Sequence, residues 1–436
     1  MNSAEIDLQH QFYDMLMQSQ YWSAERMRDY QRSQLAQLLR HARKNVPFYE
    51  NRLDAVLKPS GDIDWDRWGE IPIVKRSDLA EHGEAMVARE LPRGHGKVRS
   101  VVTSGTTASR LTLATNTLAG TSSRVSSIRG YSWHSVDWTK AFVTWLGDDP
   151  NVAAWPRGQE LVSWAPPWLP EATQGRNFKI NRMTPPDRVL EFLKQTEAGY
   201  LSVRPKAAQY LALEAARTNS RIELGGVVTF STATYQDERD DCRASFGCEM
   251  FGPYSSKEGG VMAYECAHSP HLHINEETVL VEILNARGEP CTEGEMGEVV
   301  VTPFYSTAQP LIRYSHGDLA CLVQQCTCGR SLRTMSPVVG RAMDLFSMPD
   351  GRRIALSIPK ALQYSLGARQ WQVAQIGPLQ IEVRYVSSGQ PDQSVERPIV
   401  DIIRDRTDPE MQVTFRRQEE LFSGQLGKFT EYVCEL

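Results

Sequence analysis

Between Asp187 and Thr302, stretches of helical spacing give way to short apolar runs, and this alternation restricts the possible folds more than any other feature of the chain. Val189, Leu190, Leu193, Tyr210 and Leu211 carry the helical spacing, which breaks around Gly199. Runs at Gly226 to Phe230, Val279 to Leu284 and Glu298 to Thr302 have strand length and composition. Strands alternating with helices predict an α/β body. Upstream, Leu35, Leu38, Leu39, Ala42 and Val46 repeat at helical intervals, which predicts an amphipathic helix over 23–46 stopped by Pro47. Val98 to Val102 and Leu111 to Leu113 flank a hydroxyl-rich stretch and read as strand, loop, strand.

The tail changes period. Trp371 and Val373, then Leu379, Ile381, Val383 and Tyr385, alternate two by two. Val395 to Ile403 follows as a helix, and Gln412 to Phe415 and Phe429 to Val433 as further strands, so the tail predicts a small α+β domain. The expected boundary divides the 436 residues into 1–340 and 341–436. A net charge of −5 argues against a dedicated nucleic-acid binder. No run approaches the roughly 18 apolar residues of a membrane span, and the expected location is the cytoplasm, where the eight cysteines stay reduced. Six of the ten tryptophans fall within 130–170, where packed core is the first expectation for most of them.

Five segments carry candidate chemistry. Thr103-Ser104-Gly105-Thr106-Thr107 offers N–H and O–H groups to phosphate oxygens, although it lacks the lysine of a Walker loop. Tyr254-Ser255-Ser256-Lys257-Glu258-Gly259-Gly260 places a carboxylate before two glycines, suited to magnesium beside a phosphate. In Arg313-Tyr314-Ser315-His316-Gly317-Asp318 the aspartate suits two sugar hydroxyls. Cys266 with Cys326 and Cys328, plus a histidine, makes a closed tetrahedral zinc set; His268, His271 and His273 compete for the fourth place. Finally, Gly427-Lys428-Phe429 puts a lysine near the C-terminus. Each segment alone has a plain structural reading as a turn, an ion pair or a buried thiol.

The order of these segments resembles the adenylate-forming superfamily, within it the phenylacetate–CoA ligase-like branch that includes capsule-biosynthesis proteins. The likeness begins with Val46-Pro47-Phe48-Tyr49 and Ile71-Pro72-Ile73-Val74-Lys75, and extends over almost the whole chain. It implies a large N-terminal α/β domain and a small mobile α+β C-terminal domain. It also implies attack of a carboxylate, expected to be aromatic from the tryptophan-rich middle, on the α-phosphate of ATP. Pyrophosphate leaves, and the acyl group passes to coenzyme A or another thiol or amine. By the same resemblance Thr103 to Thr107 and Tyr254-Ser255 bind the nucleotide, Glu258 holds Mg2+, and Asp318 and Arg341 grip the ribose. Lys428 acts on the charge developing at the α-phosphate, Asp344 marks the hinge, and His273 completes a structural Zn2+ set with the three cysteines. The chain departs from the family at Ala108-Ser109-Arg110, where Gly-Lys-Pro is usual, at Ser255, where glycine is usual, and at Lys257. Two other functions compete: an adenylyltransferase that places AMP on a hydroxyl, and an inactive nucleotide-binding relative.

Overall fold

The computed structural model describes residues 3–58, 60–102, 111–147, 149, 151–338, 340–341, 345–354, 356, 358, 360–387, 393–419, 421 and 431–436. Thr103 to Thr107, Asp344 and Lys428 lie outside the described residues. The chain divides into a larger unit (Met1–Val101, Leu113–Ser315, Ala320–Val338) and a smaller one (Val102–Thr112, His316–Leu319, Val339–Leu436).

In the larger unit the expected amphipathic helix is α2, Ala24–Asn45, preceded by α1, Ser3–Ser19. Ser23 caps α2 by accepting from the Arg26 N–H at 3.3 Å, and Leu35, Leu38, Leu39 and Ala42 form its buried face. Short helix α3 spans Arg76–His82, and α4 spans Thr117–Trp133. A six-stranded sheet runs in the spatial order Gln159–Leu161, Asn177–Ile180, Ala141–Trp145, Ala198–Val203, Gly226–Thr229 and Met250–Phe251. Its pairings are parallel except the first. The break at Gly199 is therefore a complete strand. All six residues of Ala198–Val203 are buried, so the strand shows no alternation and merges with the helical patterns beside it. Helices Pro186–Gln195, Pro205–Arg217 and Gln236–Phe246 supply Val189, Leu193, Leu211 and Phe246 to a core shared with Val143, Leu201 and Val227.

A second core is aromatic. Tyr131 meets Trp138, Phe142, Trp164 and Tyr264 with ring centroids 5.8 to 6.3 Å apart. Gly130 of α4 lets Tyr264 approach, since a Cβ there would fall 2.3 Å from its ring. Next to it, fully buried Arg129 bonds Glu277 at 2.7 and 3.0 Å, Asn275 at 2.6 Å and the Leu16 carbonyl at 3.0 Å. Ser19 donates to the same carboxylate at 2.5 Å.

A five-stranded antiparallel sheet follows the spatial order Leu322–Val323, Thr334–Met335, Leu272–Ile274, Gly260–Glu265 and Pro253–Ser256. Val279–Leu284 and Gly297–Pro303 form a long antiparallel pair beside it in sequence. The smaller unit holds the predicted tail. Ala368–Gly377 pairs antiparallel with Gln380–Ser387, placing Trp371 opposite Tyr385 and Val373 opposite Val383. Gln412–Arg417 and Tyr432–Cys434 add in parallel at the two edges. Helix Gln393–Arg406 brings Ile399 and Ile403 onto this sheet, in one core with buried Trp371, Val373, Ile381 and Val383. Each such fully buried side chain stabilises by roughly 1.5–3 kcal/mol.

Candidate functional site

The best-formed chemical cluster is the cysteine–histidine set. Cys266 directly follows the strand Gly260–Glu265, His273 is the middle residue of Leu272–Ile274, and Cys326 and Cys328 lie on the connection before Thr334–Met335. The register pairs Tyr264 with His273 and His273 with Thr334, so neighbouring strands deliver ligands from distant parts of the chain. Their ligand atoms all fall within 4.8 Å of one another, and three of the four residues are buried. Cys266 Sγ is 3.7 Å from Cys326 Sγ, and Cys328 Sγ is 3.2 Å from His273 Nε2. Zinc–ligand bonds of roughly 2.0–2.3 Å in a tetrahedron put ligand atoms about 3.5 to 3.8 Å apart, so the residues fit that ion.

The surroundings orient the histidine. His273 Nδ1 faces the Leu332 carbonyl at 3.5 Å, leaving Nε2 toward the thiols. Burial pushes the His273 imidazole down to about 4, which keeps it neutral, and pushes the Cys266 thiol up to about 11. A divalent cation supplies the positive charge that would release that thiol proton. Trp133 sits edge-on to His273 at 5.4 Å, donates from Nε1 to Gln20 at 2.9 Å, and carries the Arg330 guanidinium 4.7 Å above its ring. Of the three candidate histidines, His273 is the one brought to the thiols. His268 instead donates its backbone N–H to Cys266 Sγ at 3.4 Å.

The carboxylate segment forms a hairpin. Tyr254 and Ser255 lie on Pro253–Ser256, Val261 is opposite Ser255, and Glu258 occupies the turn. The Gly259 N–H donates to Ser256 Oγ at 2.8 Å, closing it. Gly260 has φ 69°, a left-handed conformation that favours glycine, and a Cβ there would also displace Ser123 Oγ, 2.5 Å away. Glu258 faces Arg76 of α3 across 3.9 Å. This arginine is a residue that the sequence reading missed, because nothing around it in the chain marks it.

Asp318, which follows Gly317 at φ 72°, is the register partner of Arg341 on the antiparallel strands Tyr314–Ala320 and Gly340–Arg341, and both residues belong to the smaller unit. The two residues expected at the ribose are thus neighbours although twenty-two residues of chain separate them. Arg313, next to them in the motif, has a structural task. Its side chain is buried, bonded to Glu282 at 3.2 Å and to the carbonyls of Gly69 at 2.6 Å and Ile71 at 2.9 Å.

No family model matches the chain. Phenylacetate-coenzyme A ligase of Thermus thermophilus is 25% identical over 383 residues, 82% of this chain and 82% of that protein. Protein CapK of Staphylococcus aureus is 29% identical over 130 residues, 29% of this chain and 26% of its own. Among solved structures, 2-hydroxyisobutyryl-CoA ligase in the postadenylation state in complex with 2-HIB-AMP superposes with a TM-score of 0.71 at 16% identity, covering 96% of this chain and 93% of that one. The chain has the fold of the adenylate-forming ligases. An anthranilate CoA ligase in complex with anthranoyl-AMP shares this adenylate-forming fold with a TM-score of 0.53 at 12% identity, over 77% of this chain and 66% of its own. The resemblance to the phenylacetate–CoA ligase-like branch and the architecture of a large α/β domain with a smaller C-terminal domain both stand. No helix among the described residues is long and apolar enough to cross a membrane.

Proposed function

We propose that this protein is an acid–thiol ligase that forms an acyl-adenylate. A carboxylate oxygen attacks the α-phosphorus of ATP, the bond to the β-phosphate bridging oxygen breaks, and pyrophosphate leaves. The acyl group of the resulting acyl-AMP then moves to coenzyme A or another thiol or amine. The observation that carries this reading is similarity to a phenylacetate ligase over 82% of both chains.

The residues take the roles that the resemblance implies. Thr103, Ser104, Gly105, Thr106 and Thr107, with Tyr254 and Ser255, bind the nucleotide. Glu258 holds Mg2+, Asp318 and Arg341 hold the ribose, and Lys428 stabilises negative charge at the α-phosphate during transfer, a task of positioning and electrostatics. The domain boundary at 340–341 goes with this division of labour. Cys266, His273, Cys326 and Cys328 hold a structural zinc, a closed set with no place for substrate. The acid we favour is aromatic, as in the phenylacetate ligase. The tryptophans themselves lend no support to that choice, because Trp138 and Trp164 pack against each other and against Phe142 and Tyr200. A cytoplasmic location suits ATP and reduced thiols.

Pyrophosphate–ATP exchange across aromatic, heteroaromatic and aliphatic acids tests the reading. Exchange with one class of acid supports carboxylate adenylation and names the substrate class. Absence of exchange with every acid, in protein that binds ATP, sinks it and favours transfer of AMP to a hydroxyl.

A further inference from the structure

We propose that a cavity beside the C-terminal half of α2 binds a small organic phosphate, with Arg40, Lys44 and His95 on its phosphate group. The inference does not depend on adenylation, because none of these residues belongs to the proposed nucleotide, metal or ribose sites.

The cavity measures about 480 Å³, within the roughly 300–1,000 Å³ of small-molecule sites. Helix α2 forms one wall, the 90–95 segment a second, and Phe304, Tyr305 and Thr307 a third. Backbone hydrogen bonds tie these walls together. The Arg89 N–H donates to the Asn45 carbonyl at 2.9 Å, and the Ala88 N–H to the Ala308 carbonyl at 2.8 Å. His41 reinforces the join, its Nε2 donating to the Thr307 carbonyl at 2.9 Å and its Nδ1 accepting from the Asn45 amide at 3.1 Å. The hollow is therefore built without a ligand, which keeps the ordering cost of binding low.

Three donors on its walls remain unspent. Arg40 and Lys44 are four residues apart and so lie on one side of α2. Arg40 uses only Nε, on the Gly61 carbonyl at 3.1 Å, and the Lys44 ammonium has no partner among the described residues. His95 is pinned from behind. Its carbonyl accepts from the Asn116 amide at 3.3 Å and the Leu118 N–H at 3.2 Å, and its Nδ1 meets the Thr307 hydroxyl at 2.9 Å. With that hydroxyl donating, the ring proton sits on Nε2, which has no partner among the described residues. Against these groups the described lining sets a single carboxylate, the exposed Glu90. Three donors, two of them permanently charged, match the three terminal oxygens of a phosphate better than the two of a carboxylate. A phosphate group fills only part of the volume, and Leu38, Leu91 and Phe304 offer apolar surface to the rest of the molecule.

The test is calorimetric titration of phenyl phosphate, benzoate and inorganic phosphate into the full-length protein. Wild type should bind phenyl phosphate about tenfold more tightly than either of the others, since one lacks the charged oxygens and the other the apolar body. The double variant Arg40→Ala with Lys44→Ala should bind phenyl phosphate at least about tenfold more weakly, and His95→Ala about threefold more weakly. Unchanged affinity in the double variant overturns the proposal, as does wild type that binds no phenyl phosphate. Benzoate bound as tightly overturns the assignment to phosphate, and inorganic phosphate bound as tightly overturns the assignment to an organic molecule. Should the double variant melt at a lower temperature without ligand, Lys44→Ala alone decides, because that exposed side chain supports no other group. It should still weaken phenyl phosphate severalfold, and wild-type affinity there overturns the proposal.

Discussion

At the scale of single residues, burial decides protonation in ways that reach stability. His134 stacks on Phe251 with centroids 4.0 Å apart, and its Nε2 donates to the Glu265 carbonyl at 2.9 Å. Burial pushes this imidazole down to about 4, from about 6.5 in an unfolded chain. Between those values the unfolded state binds more protons than the folded one, so stability falls as pH drops from 6.5 toward 4. The loss approaches about 3 kcal/mol at the acid end. Denaturant titrations from pH 7 to 4.5 should show a shallower decline in His134→Gln than in wild type; equal slopes would show that His134 does not carry the dependence. A second prediction concerns two glycines of α4. Gly130→Ala should lose about 2–3 kcal/mol because its methyl group collides with the buried Tyr264 ring. Gly120→Ala, where nothing lies within 4 Å, should be neutral or gain up to about 1 kcal/mol.

At the scale of elements, the proposed zinc set would act as a strand-to-strand fastening. The ligand atoms of Cys266 and His273 lie within 4.8 Å of those of Cys326 and Cys328, on the connection that leads into the strand paired with Leu272–Ile274. Purified protein should carry one zinc per chain by elemental analysis. Chelation or Cys328→Ser should lower the melting midpoint, and metal-free protein of unchanged midpoint would refute a structural ion. Elements differed in how far the sequence betrayed them. Helix α2 was legible because one face is apolar and the other wet. Helix α4 was not, since Ser126, Arg129, Gly130 and Trp133 are all buried and no polar stripe remains to set a period. The alternating tail strands announced themselves, whereas Ala198–Val203 hid inside a helical pattern. The cysteines of the cluster could be read from spacing, but choosing His273 from spacing alone was impossible, because alternate residues of a strand share a face with His271.

At the scale of the whole molecule, the proposed chemistry divides between a body carrying Glu258 and a tail carrying Lys428. Lys428→Ala should abolish pyrophosphate–ATP exchange while a supplied acyl-adenylate still reacts onward with the acceptor. Equal loss of both steps would remove the lysine from its proposed role. The order of motifs along the chain was legible early because each is short and local. The Arg76–Glu258 pair was not, since it joins residues far apart in sequence whose neighbours give no hint of meeting.

The buried Arg129–Glu277 pair makes the first nineteen residues more than an appendage. Leu16 and Ser19 supply an acceptor and a donor to two fully buried charges, so the N-terminal helix works as the stopper of a sealed vessel. Trimming the chain to begin at α2 would leave every proposed functional residue in place. It would also open that seal, and the trimmed protein should admit solvent to Arg129, exchange its interior amides faster and tend to associate through the bared wall.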